Sequence, residues 1–331
     1  MIAVAELEEF GKGGIIPHER TLAGPKADRL NLTRAAAAQF GQIFMLNSDP
    51  ANAVNTLLGR ETGGKPVFDF SDDSDGPPVS HRLWVVTQPD ILAAVAAEMK
   101  AKPLFIADGH HRYETALNYR NEMRAAGRKC APGNENFNNS MMTFVNFDDA
   151  GLTILPTHRL VHGLPSPDWA SLRNRLEENF LAEEVLSLDA LLSRLEQGKN
   201  RRVFGFQGNG KFHLLTLKPD RRPEKIVPGA FSTAWKNLEV SLLHTLILDA
   251  LLGIDAAKLE AQTNVRYYRS AAKASEAVET GAGQMAFYLN PTRAEQVKEV
   301  AGQGEKMPQK STDFFPKILS GLVIHRYALI E

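Results

Sequence analysis

"PLFIADGHHRYETALNYR", residues 103–120, contains the change of pattern that decides the fold of the first half of the chain. Its apolar start, "PLFIA", is typical of a buried strand, and the segment after the histidines has the pattern of a helix. Asp108 and Gly109, followed by His110, predict a tight turn from the end of the strand into the helix. The sequence therefore predicts an α/β unit with polar side chains at a strand–turn–helix corner.

This corner is suited to an anion. Backbone N–H groups at the start of a helix lack partners within the helix, and the helix dipole favours negative charge there. Gly109 allows close backbone approach, and His111 and Arg112 add donors for phosphate oxygens. Asp108 cannot hold phosphate itself, so we interpret it as a ligand of a nucleotide-borne metal, an orienter of a histidine or an acceptor of a hydroxyl proton.

Two other interpretations of the corner stay open. In the first, Asp108 only caps the helix and the histidines lie on its first turn without a role. In the second, the histidines bind a transition metal. Adjacent helix residues point about 100° apart, which disfavours chelation by both, although one histidine with carboxylates from elsewhere would serve.

Outward from the corner, the order of elements predicts a mixed fold, α/β or α+β. Strand and helix patterns alternate in the first half, and the second half reads as α+β. The prolines of "HGLPSPD" (162–168) place a domain boundary near 165, which gives domains 1–165 and 166–331.

Several local patterns support this division. We expect a surface loop at "DFSDDSDGPPVSH" (69–81), and a hairpin in which "LTILPTHRLV" (152–161) follows "MMTFVNF" (141–147). A second hairpin is predicted around "GNG" (208–210), and a core helix near 237–252.

The composition excludes several classes of protein. The 331 residues are 43% hydrophobic, enough for a large core, and 38 basic against 39 acidic residues give a net charge of −1. Nucleic acid is therefore an unlikely partner, and no membrane association is expected. The single cysteine, Cys130, excludes an intrachain disulfide framework, and the start "MIAVAELEEFGKGG" does not have the pattern of a signal peptide, which predicts a cytoplasmic protein.

The chain resembles a widespread prokaryotic family known as domain of unknown function 1015. The resemblance is carried by five ordered blocks: "PHERTLAGPKADRL" (17–30), "ADGHHRYETAL" (107–117), "VNFDDAGLTILPTHRLV" (145–161), "LNPT" (289–292) and "MPQKSTDFFPKILSGLV" (307–323). Members of this family usually have a further segment ahead of the first strand. The resemblance therefore implies that the first domain lacks its N-terminal segment.

A more distant resemblance concerns the corner alone. "DGHHR" is similar to the phosphate-binding motif of the ParB/sulfiredoxin-like fold, which occurs in chromosome-partitioning nucleotidases, sulfiredoxins and free-serine kinases. It implies a mixed-sheet N-terminal part in which Gly109, His111 and Arg112 form a phosphate turn. His110 stands where sulfiredoxins carry a reactive cysteine, so cysteine-based reductase chemistry is not expected, and His110 stays a candidate catalytic residue of undefined role.

The other polar blocks supply further candidates. In 17–30, Glu19 is a candidate base or metal ligand and His18, Lys26 and Arg29 are candidate phosphate contacts, if the strand at 2–10 shares a sheet with "PLFIA". The remaining candidates for an anion contact are His158, Arg159, Lys310, Ser311, Thr312 and Lys317. "GEKMPQKST" (304–312) is not a P-loop, because Gln309 replaces the required glycine and Pro308 removes an N–H. Surface ion pairs and local capping explain these same residues without a function.

The resulting functional hypothesis is a phosphotransferase. It would use Mg²⁺ with ATP or ADP, and would act on a small hydroxyl metabolite, with a free amino acid such as serine as the guess from the resemblance. Asp108 would contact the Mg²⁺. The alternatives are a phosphatase or other hydrolase of a phosphorylated metabolite, a non-catalytic nucleotide sensor, and a ParB-like DNA-associated switch. The sequence has no recognisable basic recognition helix, which disfavours the DNA-associated switch.

Overall fold

The computed structural model describes residues 1–19, 24–73, 78–130 and 136–330, and the chain divides into two compact units. Unit 1 comprises Met1–Pro17, Thr21–Thr153 and Phe314–Glu331, and unit 2 comprises His18–Arg20 and Ile154–Asp313. This division differs from the predicted boundary near 165. The strand at His158–Val161 pairs within the sheet of unit 2, and the chain returns to unit 1 after Asp313.

Unit 1 is built from strands and helices in irregular alternation. The strands up to residue 146 are β1 (Ile2–Glu6), β2 (Ile15–Pro17), β3 (Ala38–Gln39), β4 (Ile43–Asn47), β5 (Phe68–Asp72), β6 (Val79–Leu83), β7 (Leu104–Asp108), β8 (Lys129–Cys130) and β9 (Asn139–Asn146). The helices are α1 (Gly24–Ala36), α2 (Ala53–Gly59), α3 (Pro89–Met99) and α4 (His110–Ala125).

A mixed five-stranded sheet, in the order β1-β9-β4-β7-β2, organises unit 1. β2 runs parallel to β7, β4 antiparallel to β7 and parallel to β9, and β1 antiparallel to β9. The first strand and "PLFIA" therefore share a sheet, which is the condition set for the candidate roles of residues 17–30. Helix α4 covers this sheet, because Tyr113 and Leu117 belong to the same buried cluster as Ile43, Met45 and Ile106. The mixed α/β class is confirmed.

Predicted elements differ from the structure in two places in unit 1. The segment 69–81, interpreted as a loop, supplies the paired strands β5 and β6, with residues 74–77 outside the described ones. The acidic residues, the glycine and the prolines of this segment favoured a loop, although Phe68, Asp69, Phe70 and Ser71 alternate as in a strand. The hairpin predicted from 141–147 and 152–161 is also wrong, since β9 pairs with β1 and β4.

The buried carboxylate Asp49 gives unit 1 a dependence on pH. Its oxygens accept from Lys102 Nζ at 2.9 Å and from the Val54 N–H at 3.0 Å, and these bonds lower its pKa below the usual 3.8. A carboxyl whose pKa is depressed by folding stabilises the fold above its unfolded value and loses this contribution as the pH falls.

We therefore expect Asp49→Asn to cost about 1–3 kcal/mol of unfolding free energy at neutral pH, where Lys102 loses its anionic partner. The difference from the parent protein should shrink as the pH is lowered past about 3.8. Urea unfolding at a series of pH values measures both quantities. A loss that stays constant down to pH values well below this point would contradict the assignment.

Unit 2 and the C-terminal segment contain the remaining elements. The strands are β10 (Thr153–Ile154), β11 (His158–Val161), β12 (Phe180–Val185), β13 (Val203–Gly208), β14 (Lys211–Leu217), β15 (Val265–Tyr268), β16 (Met285–Tyr288), β17 (Phe314–Phe315), β18 (His325–Arg326) and β19 (Leu329–Ile330). The helices are α5 (Trp169–Asn179), α6 (Leu188–Gln197), α7 (Pro223–Ile226), α8 (Thr233–Lys236), α9 (Glu239–Leu242), a π-helix (Leu243–Asp249), α10 (Ala256–Ala261), α11 (Ala271–Glu279) and α12 (Ala294–Gly302).

An antiparallel six-stranded sheet, in the order β12-β14-β13-β16-β11-β15, forms unit 2. The predicted hairpin around "GNG" is confirmed by β13 and β14. Asn209 and Gly210 turn it with φ of 52° and 70°, the left-handed pair that two-residue hairpins favour. Leu160, Leu191, Leu214 and Ala286 belong to the buried cluster of one sheet face. Unit 2 is therefore α+β, as expected.

The core helix predicted near 237–252 changes its hydrogen bonding midway. After α9 the Ala250 N–H donates to the Thr245 carbonyl and the Leu252 N–H to the Ile247 carbonyl, five residues back in each case. This π-helix buries Leu243, His244 and Ile247. Among the described residues, no helix combines the length and apolar character needed to span a membrane.

Candidate functional site

The strand–turn–helix corner in unit 1 has the predicted geometry. β7 ends at Asp108, Gly109 turns the chain with φ 93° and ψ 26°, and α4 begins at His110. Side chains rarely adopt this left-handed backbone conformation, which explains the glycine. The sixteen-residue helix therefore begins directly after the end of the strand, with one glycine between them.

Arg112 lies across this turn. A Cβ atom placed on Gly109 would meet Arg112 Nε at 2.7 Å and Nη2 at 2.9 Å. A Cβ on Gly41, which lies just before β4, would meet Arg112 Nη1 at 3.1 Å. The guanidinium thus lies against the backbone of two glycines, and both glycines leave room for it.

Asp108 lies beside two positively charged side chains, Arg112 and Lys317. Its Oδ1 accepts the Gly109 N–H at 2.7 Å, while its Oδ2 lies 3.5 Å from Arg112 Nη2 and 3.9 Å from Lys317 Nζ. Burial lowers the pKa of Arg112, Asp108 opposes this and the charge of Arg29 adds to it. Two cationic side chains, Arg112 and Lys317, therefore lie beside this carboxylate, and Arg29 acts on Arg112.

A cavity of about 260 Å³ opens beside Arg112. It is lined by Arg29, Leu32, Thr33, Ala38, Gln39, Phe40, Gly41, Arg112, Thr115, Ala116 and Ser320. Two arginines and the partly exposed Phe40 and Leu32 give it both cationic and apolar walls. Such a wall composition suits a ligand with an anionic group and a flat apolar group.

The residues fit Mg²⁺ only as an ion brought by a ligand. No group of three His, Cys, Asp or Glu side chains able to hold a metal occurs in the parts of the chain that the structure describes. Asp108 offers one carboxylate, and Arg112 and Lys317 lie close to it. Mg²⁺ commonly takes one or two carboxylates together with nucleotide phosphates and waters.

The two histidines of the corner differ in exposure. His110, the first residue of α4, is buried, with 8% of its surface exposed, and His111 is half-buried. Arg29 lies in α1 and reaches the cavity, whereas the Lys26 side chain lies outside what the structure describes. His111, Arg112 and Arg29 are thus the candidate phosphate contacts whose side chains the structure describes in unit 1.

The candidates His18 and Glu19 belong to unit 2. A parallel bridge between Glu19 and Met307 and a bond from the Met307 N–H to the His18 carbonyl hold this segment. His18 is fully buried, and its Nε2 lies 2.8 Å from Thr312 Oγ1, which also donates to Glu19 Oε1 at 3.2 Å. Thr312, offered as a phosphate contact, is therefore engaged with both.

The other unit 2 candidates are largely internal. Ser311 is buried and donates to the Pro308 carbonyl at 2.5 Å, while Lys310 is exposed and has φ 59°. The Lys310 carbonyl accepts from Nη2 of the buried Arg159 at 2.8 Å. Burial first and Arg159 second lower the pKa of His158 to about 4, so His158 is neutral at physiological pH and adds no charge for phosphate.

Several residues of the cavity were not identified from the sequence. Gln39 ends β3, Phe40 and Gly41 lie between β3 and β4, and Ser320 comes from the C-terminal segment. A single sequence carries no signal that joins these distant segments. Lys317 was a candidate anion contact, but only the fold brings it to Asp108.

Gly109→Ala should affect both stability and binding at the corner. The left-handed backbone is expected to cost about 1–2 kcal/mol, and the new Cβ displaces the Arg112 guanidinium. Gly127→Ala is the matched control, because Gly127 follows the same helix with φ 66° and open space around its Cβ position. Urea unfolding should show a loss in both variants, while thermal shift with ADP should weaken only in Gly109→Ala. Equal nucleotide responses would contradict the role of the turn.

Comparison with known protein families identifies the family of the chain. The sequence profile of a family described as "Protein of unknown function (DUF1015)" matches residues 1–241. The chain belongs to this family. The resemblance expected from the five sequence blocks is therefore confirmed, and no curated protein matches this DUF1015 member.

Solved structures similar to this DUF1015 protein are distant. A conserved hypothetical protein from Pyrococcus furiosus is 14% identical, with 99% of this chain and 94% of that chain covered and a TM-score of 0.42. A free serine kinase in complex with AMP is 14% identical, with 95% and 86% covered and a TM-score of 0.44. SbnI with C-terminal truncation from Staphylococcus aureus is 11% identical, with 96% and 82% covered and a TM-score of 0.43. Similarities of this size support no argument about activity.

Proposed function

We propose that this DUF1015 protein is a nucleotide-dependent phosphotransferase that acts on a small hydroxyl metabolite and binds phosphate at the corner formed by Asp108, Gly109 and Arg112. The observation that carries the proposal is the position of Arg112. Its guanidinium lies against the Gly109 backbone at a helix start and also lines the neighbouring cavity. An anion at this place would meet a fork of N–H donors and the helix dipole together.

The cavity supplies the second part of the proposed site. Arg29 and Arg112 line the same 260 Å³ space as Phe40 and Leu32. A nucleotide has phosphates for the arginines and a flat base for the apolar wall, so one ligand class satisfies both. An inorganic phosphate or a sugar phosphate would leave the apolar wall without a partner.

In this proposal, the chain's own groups position the reacting phosphate and hydroxyl. Arg112 and Lys317 neutralise phosphate charge, and the Gly109 turn lets the phosphate approach the backbone. Asp108, which lies beside both cations, orients the acceptor hydroxyl or takes its proton. Mg²⁺, when it arrives with the nucleotide, would neutralise phosphate oxygens with Asp108 as its one protein ligand.

Glu19 and its neighbours keep their sequence-based role as a proposal. Glu19 accepts from Thr312 and lies 3.7 Å from His18 Nε2. A carboxylate held between a hydroxyl and an imidazole has the chemistry of a base. A free amino acid such as serine stays the proposed acceptor.

Nucleotide binding is tested by following the melting temperature with ATP, ADP and AMP, each with and without Mg²⁺. Ligands that bind the folded state raise it by an amount that grows with concentration. We expect ADP and ATP to raise it, and AMP to raise it less because it brings fewer phosphates to Arg112. No shift with any nucleotide at millimolar concentration would overturn the nucleotide assignment.

Phosphoryl transfer is tested with ATP labelled at its γ-phosphate or ADP labelled at its β-phosphate, and a panel of amino acids, sugars and hydroxy acids. Appearance of a labelled acceptor supports the transferase. Release of inorganic phosphate from phosphorylated amino acids or sugars, assayed in parallel, would favour the hydrolase. Binding without either reaction would favour a sensor, and binding that requires DNA would favour the ParB-like switch.

A further inference from the structure

Arg159 lies on β11, next to the edge strand β15 of the sheet of unit 2, on the face opposite the buried cluster of Leu160 and Leu214. In the sheet register Arg159 on β11 is flanked by Tyr267 on β15 and Phe287 on β16. Phe206 and Phe287 are partners in turn, with ring centroids 5.3 Å apart. The side chains of directly opposed residues lie on the same face of a sheet. A single arginine therefore lies in a row of aromatic rings.

This arginine is almost completely enclosed, with 1% of its surface exposed. Nη1 donates to the Thr157 carbonyl and Nη2 to the Lys310 carbonyl, and Cζ lies 5.5 Å from the centre of the Tyr267 ring. Buried guanidinium groups normally have all their donors paired. In the described part of the chain Arg159 Nε has no hydrogen-bond partner.

Two neighbours share this property. The Tyr267 hydroxyl and His244 Nε2 are also buried and have no hydrogen-bond partner among the described residues. Both interact electrostatically with Arg159. Its positive charge lowers the pKa of His244, as burial also does. It also lowers the pKa of Tyr267, which burial raises. His244 lies in the π-helix, a conformation frequent at functional sites. Three buried polar atoms of this cluster therefore have no hydrogen-bond partner among the described residues.

The charges in the cluster indicate what charge a ligand should carry. Burial lowers the pKa of Arg159 to about 10, so it stays a cation at neutral pH, whereas burial leaves His244 and His158 neutral. Glu19 is the anion that acts on Arg159. A phosphate dianion would add a large excess of buried negative charge, but a singly charged carboxylate would not. Its two oxygens can accept one hydrogen bond from the Arg159 Nε–H and one from the Tyr267 O–H.

We propose that unit 2 holds a second site, built on Arg159, Tyr267 and His244, that binds the carboxylate of a small organic acid. Arg159 Nε–H and Tyr267 O–H donate to the two carboxylate oxygens, and His244 Nε2 contacts the same ligand. The site uses residues of unit 2 alone, so it does not depend on nucleotide binding at Asp108–Arg112. In this proposal Arg159, which the sequence predicts as a phosphate contact, binds a carboxylate instead.

The test is isothermal titration calorimetry of the full chain with glycolate, glycolamide and inorganic phosphate, in a buffer free of carboxylates. We expect glycolate to bind in the millimolar range and glycolamide to bind at least about tenfold more weakly, because a hydrogen bond to a charged group strengthens binding by about this factor or more. Phosphate can bind at the corner of unit 1, so its binding should be unaffected by changes at Tyr267. Failure of glycolate to bind, or phosphate binding that Tyr267→Phe weakens as much as glycolate binding, would overturn the proposal.

Tyr267→Phe makes the test specific to the site. This change removes only a hydroxyl that lacks a partner, so the melting temperature should not fall while glycolate binding weakens about tenfold. Tyr268→Phe is the matched control, since Tyr268 follows in the same strand and packs against the opposite buried cluster. Equal glycolate affinity in the two variants would show that the carboxylate is bound elsewhere.

Discussion

Arg112→Ala is expected to weaken ADP binding by about 10- to 100-fold. Charge-assisted hydrogen bonds are worth about 1.5–3 kcal/mol each, and the guanidinium lies at both the turn and the cavity. Arg112→Lys should recover only part of the loss, because an ammonium group keeps the charge but not the fork. Isothermal titration calorimetry with ADP measures the series.

Arg124→Ala is the matched control for this prediction. Arg124 lies in the last turn of the same helix and donates to Asn138. Its loss should leave ADP affinity within about twofold, since exposed contacts distant from a ligand change binding little. If Arg112→Ala and Arg124→Ala bind ADP equally well, the phosphate is not held at the corner.

Asp108→Asn should remove turnover and spare binding. An asparagine keeps an oxygen for the Gly109 N–H but cannot take a proton from a hydroxyl or offer a carboxylate to Mg²⁺. Loss of a general base or of a charge-orienting carboxylate lowers rates by about 100- to 10,000-fold. The rate is measured with labelled ATP or ADP and the acceptor that the wild-type protein phosphorylates fastest.

Asp90→Asn provides the comparison, because Asp90 is an exposed acid in the first turn of α3. It should keep the wild-type rate. ADP affinity is measured in both variants so that lost binding is separated from lost catalysis. Wild-type turnover in Asp108→Asn would eliminate Asp108 as a catalytic residue.

The corner could be predicted because its signals are local. A buried strand, a glycine and a helix pattern follow one another within residues 104–125, and the left-handed φ of Gly109 needs no distant contact. The hairpin at Asn209 and Gly210 was predictable for the same reason. In both places short-range backbone geometry determines the structure.

The cavity and the division into units could not be predicted because they depend on long-range contacts. Lys317 and Ser320 join Asp108 and Arg112 across some 200 residues of chain. His244 is a single histidine within the apolar stretch 237–252, and only the register of β11 with β15 places Arg159 beside Tyr267. Pairing of distant strands leaves no mark in a single sequence.

The most direct test of the central claim is backbone amide NMR of isotopically labelled protein during titration with ADP. We predict that the largest chemical-shift changes fall on Gly109, His110, His111 and Arg112, with a second set at Gln39–Gly41 of the cavity. Saturable changes confined to these residues would place the nucleotide phosphate at the corner. Unchanged amides at 109–112 in the presence of bound ADP would contradict the account.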